Sequence, residues 1–185
     1  ELHQDGRNPV IDAVRQRYSM QDARNTVIYL GDNVYPYGLP DEADKRYPHA
    51  KEILDYEVGL VQHTAANAIF VPGNHDWNKM KPNGWSIVRN QQQYVDSLSL
   101  PNVRYLPQDG CPGPVEVPIN SNVTLIVMDS EWWLFPYLKP GAGSSCDCKD
   151  KEEVITSLSD MVARNRGKLI LFATHHPFRS HGIHG

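Results

Sequence analysis

Thr26-Val27-Ile28-Tyr29-Leu30-Gly31-Asp32-Asn33-Val34-Tyr35 is the stretch on which the fold turns. Thr26 to Leu30 is a short apolar run rich in β-branched residues, which predicts a buried strand. Gly31 ends the strand and lets the backbone turn sharply. Asp32 then projects from the carboxyl end of that strand, where open α/β sheets place their ligand crevice. The same logic recurs twice. Ala68-Ile69-Phe70-Val71 leads into Gly73-Asn74-His75-Asp76, and Lys168 to Thr174 leads into His175-His176-Pro177. Strand ends therefore deliver an aspartate, an Asn-His pair and a His-His pair to one edge of one sheet. Oxygen and imidazole donors in that arrangement point to a metal site.

Working outward, Pro9 to Tyr18 has apolar residues at helical spacing, with Asn8 as a cap ahead of a first-turn proline. Pro36 to Pro48 carries loop signals, and its charged cluster of Asp41, Glu42, Asp44, Lys45 and Arg46 suits a solvated face. Helices are expected over Ala50–Asn67, Ser86–Leu98 and Lys151–Arg166. In the last of these, Val154, Leu158, Met161 and Val162 face inward. Strands are expected over Val103–Leu106, Val115–Val117 and Val123–Met128, and the alternating middle one suits a sheet edge. Trp132, Trp133, Phe135 and Tyr137 either roof the core or wall a substrate pocket, and the core role is favoured. Helix–strand units mixed with consecutive strands predict an α/β protein.

The chain has 185 residues and a net charge of −4. That length suits a single domain, residues 1–185. The charge argues against nucleic acid or an anionic membrane as partner. No run of 18 apolar residues is present, so no membrane span is expected. Cys111, Cys146 and Cys148 all sit in Gly/Pro/Ser-rich loops. They allow a loop-to-loop disulfide, reduced surface thiols, or a zinc site short of a fourth ligand. Cysteine use leans towards an exported, periplasmic or extracellular setting.

The motifs Gly31-Asp32-Asn33-Val34-Tyr35, Gly73-Asn74-His75-Asp76 and an apolar strand ending in His175 resemble those of the calcineurin-like metallophosphoesterases. Tyr35, with Asp44-Lys45-Arg46-Tyr47 downstream, makes the chain most similar to the purple acid phosphatases, in particular the small tartrate-resistant type. The resemblance spans about Thr26 to Gly185. It implies an αββα four-layer sandwich of two mixed β-sheets flanked by helices. It also implies two metal ions, iron with a second iron, zinc or manganese, and hydrolysis of phosphomonoesters by a metal-bound hydroxide. Small phosphorylated molecules or phosphoproteins would be the substrates. A phosphodiesterase or nucleotidase on the same fold is the near alternative, and a non-catalytic binding module with an incomplete site is the distant one.

Carried over residue by residue, the resemblance makes Asp32 the carboxylate that bridges the metals and Tyr35 a phenolate ligand to iron. Asn74 supplies an amide oxygen to the second metal, and His175 supplies an imidazole while His176 faces away. His75 contacts the phosphate or leaving group, and Asp76 holds His75 in one tautomer. His184 approaches the phosphate as general acid, with His181 as its local competitor. Arg179 suits phosphate binding or plain exposure, and His49 and His63 read as surface or core residues. The family also uses an aspartate on an opening strand and a closing Gly-His-x-His pair. Neither is present, so the chain is expected to be truncated at both ends and to have little activity by itself.

Overall fold

The structure is a computed structural model that describes residues 7–181. It is a mixed α/β protein with two small sheets, each of three strands, and helices packed around them. Helix α1 (Pro9–Arg17) starts where expected, because Asn8 accepts hydrogen bonds from Val10 and Ile11 N–H. Strand β1 (Thr26–Leu30), helix α2 (Tyr47–Val58), strand β2 (Asn67–Val71), helix α3 (Gly84–Ser97) and strand β3 (Val103–Tyr105) follow. They form a sheet in the order β1-β2-β3, all parallel.

Among the described residues this first sheet is parallel, where a mixed one was expected. Each of its strand pairs is joined by a helical crossover, and a crossover returns the chain in the same direction. Helix α2 also departs from the expected Ala50–Asn67. It begins at Tyr47, since Pro48 is welcome in a first turn, and it stops at Val58. Leu60 and Val61 stay buried beyond it, in turns that lead to β2.

Strands β4 (Val115–Asn120), β5 (Val123–Val127) and β6 (Leu169–Ala173) form the second sheet. Strand β4 runs antiparallel to β5 and lies at the edge, as its alternation predicts. Strand β6 runs parallel to β5. Between β5 and β6 lie a short helix α4 (Ser130–Leu134) and helix α5 (Lys151–Arg164). Helix α4 was not expected. Asp129 starts it by accepting from Glu131 and Trp132 N–H.

Two apolar clusters explain the layering. Ile69 and Val71 of the first sheet pack with Val117, Leu125, Val127 and Ala173 of the second, so the sheets share a core. On the other face of β2, Ala68 and Phe70 join residues of α1, α2 and α3. Trp132 and Phe135 belong to this larger cluster, and the Phe135 ring lies 4.8 Å from that of Trp77. They roof the core, whereas Tyr137 is exposed.

Helix α5 corrects another expectation. Val154 is fully buried, but Val162 is 42 % exposed and Leu158 and Met161 are only half-buried. Polar contacts at its end tie the helix to the second sheet. Asn165 bonds Glu116, and Arg164 pairs with the same carboxylate at 2.6 Å. Cys111 and Cys146 form a disulfide and Cys148 is buried as a free thiol. That arrangement rules out the three-cysteine zinc site, because two of its donors are tied to each other. No helix among the described residues is long and apolar enough to cross a membrane.

Candidate metal centre

Strands β1 and β2 run parallel and end together, whereas β6 belongs to the second sheet, so the strand ends come from two sheets and not from one as expected; contact between His175 and the Leu30 carbonyl joins them. Asp32 follows β1 in a left-handed conformation, φ 58°, which aspartate tolerates better than most residues. Its Oδ1 accepts from the His75 backbone N–H at 2.9 Å. Its Oδ2 accepts from the Tyr35 hydroxyl at 3.0 Å.

His175 reaches the same point from β6. Its Nδ1 lies 2.8 Å from the Leu30 carbonyl oxygen, which only accepts, so Nδ1 carries the proton. In the neutral ring Nε2 is then a bare lone pair. It sits 3.1 Å from Asn74 Oδ1 and 3.4 Å from Asp32 Oδ1. An imidazole nitrogen, an amide oxygen and a carboxylate oxygen thus face one another with no proton among them. A cation between them satisfies all three at once, so this donor set fits a metal ion. Tyr35 adds a phenol oxygen at the Asp32 carboxylate.

Two glycines make this approach possible. A Cβ on Gly31 would lie 2.5 Å from His175 Nδ1, and the residue holds φ +89°. A Cβ on Gly73 would lie 2.5 Å from both Asp32 N and Asp32 Oδ1. The strand-end glycines are therefore close-approach residues as well as turn formers.

His75 sits beside the cluster, with Nε2 3.9 Å from Asp32 Oδ2 and its ring 3.9 Å from the Tyr35 ring. The residue that sets its tautomer differs from the one expected. His75 Nδ1 bonds the Pro36 carbonyl at 2.8 Å. Asp76 is fully buried and instead accepts from the backbone N–H groups of Gly73, Asn33 and Val34 and from Gln91 Nε2. It ties the Gly73–Asp76 turn to the Asp32–Tyr35 turn. Its role is to hold the two loops in register, and the expected catalytic assignment gives way to that one. Burial raises its pKa, and those donors oppose the rise.

His184 lies outside the described residues. His181 and Arg179 are exposed, as are His49 and His63. Among the described residues no group of three or more His, Cys, Asp or Glu side chains is placed to hold a metal ion. The cluster that does form is mixed in kind, with one carboxylate, one imidazole, one amide and one phenol.

A second polar group beside it was not foreseen. His176 turns away from His175, as expected, but it meets α4. Its Nδ1 lies 2.8 Å from Ser130 Oγ, and its Nε2 lies 3.8 Å from Glu131 Oε2. Glu131 is fully buried, and neither carboxylate oxygen has a hydrogen-bond partner among the described residues. Burial, with the nearby Asp32 charge second, pushes its pKa up to about 7. Asp129, buried against Trp77 Nε1, is pushed up to about 8. The signal for this group was in the sequence, since Asp129-Ser130-Glu131 follows an apolar strand as Asp32 follows Thr26–Leu30.

Glu131 yields a test of pH dependence. Its folded-state pKa is raised, so its contribution to stability is full below about pH 4.5 and is lost as the pH rises through about 7. In metal-free protein Glu131→Gln should therefore flatten the fall in stability across that window. Above pH 8 the variant should be more stable by about 2 kcal/mol, once solvent screening is allowed for. Thermal melts of both proteins from pH 4 to pH 9 check this. Parallel curves would mean that Glu131 finds a partner on folding.

A scan against known protein families and a search of curated proteins both return no match.

Proposed function

We propose that the chain is a dinuclear metal-dependent phosphoric ester hydrolase acting on phosphomonoesters. Its two sheets and flanking helices would form the αββα sandwich of the calcineurin-like metallophosphoesterases, and the purple acid phosphatases are the most similar branch. The observation that carries the reading is the meeting of oxygen and imidazole groups from strand ends, Asp32 Oδ1, Asn74 Oδ1 and His175 Nε2.

Asp32, Tyr35, Asn74 and His175 would hold the metal, iron with a second iron, zinc or manganese. Bound metal would neutralise the charge of the phosphate and supply a nucleophile from water at neutral pH. The chain's own residues do the rest. The Leu30 carbonyl fixes the His175 ring, and the Pro36 carbonyl fixes His75 so that Nε2 is the nitrogen left to exchange a proton. With both ring nitrogens protonated, His75 Nε2, on the Asp32 side, would donate to a phosphate oxygen or give its proton to the leaving group. The Tyr35 ring against His75 keeps that imidazole from swinging away.

The test uses protein containing residues Glu1–Gly185, loaded with iron and with zinc or manganese. It should hydrolyse a chromogenic phosphomonoester faster than a matched diester, and the iron-loaded form should show a visible tyrosinate band that Tyr35→Phe removes. Faster turnover of the diester would favour the diesterase or nucleotidase reading. Bound metal with neither activity would favour a binding module.

A further inference from the structure

Asn78, Lys79 and Met80 follow the Asn74–His75 turn, and all have positive φ, at 55°, 51° and 58°. The left-handed region is costly for residues other than glycine, more so for Lys79 and Met80 than for Asn78. Backbone bonds hold the strained turn against the candidate metal centre. Lys79 N–H donates to the Asn74 carbonyl at 2.8 Å, and Asn78 N–H donates to the His75 carbonyl at 2.9 Å.

The turn aims two lysines at one ring. The ammonium groups of Lys79 and Lys81 lie 6.0 and 4.3 Å from the centre of the Tyr37 ring, and the Arg46 guanidinium lies 5.8 Å from it. Tyr37 stands two residues beyond Tyr35, so Tyr35–Pro36–Tyr37 forms one wall. Its first ring reaches Asp32, and its last is surrounded by cations.

The nearby acidic groups are engaged elsewhere. Asp44 pairs with Arg46 at 2.6 Å, Asp41 accepts from Asn90 at 2.8 Å, and Glu42 lies beside Tyr47. Lys79 and Lys81 are exposed, and neither forms a salt bridge among the described residues. An exposed cation–π contact is too weak to offset a three-residue left-handed turn. Unpaired like charges gathered on a strained loop are explained by an anion that binds between them.

We infer that Lys79 and Lys81 form an anion subsite on the rim of the metal centre, which selects small substrates carrying a second phosphate besides the one hydrolysed. The inference rests on the hydrolase reading for the identity of the first phosphate. The subsite itself can be tested by binding alone.

The probes are fructose 1,6-bisphosphate and fructose 6-phosphate, which differ by one phosphate. Their binding to metal-loaded protein that contains residues Glu1–Gly185 and is extended at both ends is measured by calorimetry at low and physiological salt, and released phosphate is measured in parallel. The wild type should bind the bisphosphate about tenfold more tightly, with a preference that weakens as salt rises. The exposed double variant K79A/K81A, its fold checked by circular dichroism, should lose the preference and keep its affinity for the monophosphate. An equal preference in both proteins, or none in the wild type, would overturn the inference. Preference lost in the variant with no phosphate released from either probe would support the subsite and sink the hydrolase reading. Phosphate released equally well by both proteins would do the reverse. A preference seen only with an acidic phosphopeptide would overturn the assignment to small substrates.

Discussion

Asp32→Ala should remove bound metal and phosphomonoester hydrolysis together. Asp32 is the one carboxylate in the donor cluster, and both of its oxygens are used. One faces His175 Nε2 at 3.4 Å, and the other accepts from Tyr35. Without it, an imidazole, an amide oxygen and the Tyr35 oxygen remain, a set that lacks the bridging carboxylate and has a much weaker hold on a trivalent or divalent ion. Metal per chain, measured by elemental analysis after dialysis, should fall by at least half. Turnover should fall by about a thousandfold or more, since cation and nucleophile are lost at one stroke. Asp32→Asn separates charge from shape. Its amide oxygen can still accept from His75 N–H, so the fold should survive while metal is lost. Unchanged metal content in both variants would rule out Asp32 as a ligand and with it the dinuclear centre.

Gly73→Ala should damage the same site through sterics alone. The added methyl would sit 2.5 Å from Asp32 N and 2.9 Å from His175 Cε1, in a place where neither loop can retreat. Asp76 holds both loops through buried bonds, including one from Gly73 N–H itself at 2.8 Å. Overpacking of this kind costs about 2–3 kcal/mol. The displaced ligands should lower metal affinity by about a hundredfold, because sites tolerate little misplacement. Gly167→Ala is the control, since a Cβ there meets nothing within 4 Å. Chemical denaturation and a metal titration of the two variants check both effects. A Gly73→Ala protein as stable as the control, with metal affinity intact, would show that the loops can part.

The elements were legible because their signals are local. Asn8 ahead of Pro9 marks a helix start, and the runs of β-branched and apolar residues at Thr26, Ala68, Val123 and Lys168 mark strands. The ends of elements were less legible. Helix α2 stops at Val58 although Leu60 and Val61 continue the apolar pattern, since burial can be met by a turn as well as by a helix. Helix α5 has an apolar stripe, but how much of it is covered depends on what lies beside it in space.

For the candidate site, the sequence by itself determined the donors. An aspartate, an asparagine and a histidine after glycine-ended or apolar strands are side chains that need polar partners or a ligand when they are drawn out of water. Tertiary structure alone decided which atoms meet. The parallel pairing of β1 with β2 and the shared core of the two sheets bring residues 101 to 145 positions apart into hydrogen-bond contact. It also reassigned Asp76 from partner of His75 to knot between loops, since an aspartate's partner depends on which N–H groups surround it. Glu131 entered beside the site for the same reason. Its burial, with no hydrogen-bond partner among the described residues, is a property of the packed α4 and β6 elements, and no local pattern of residues encodes that burial.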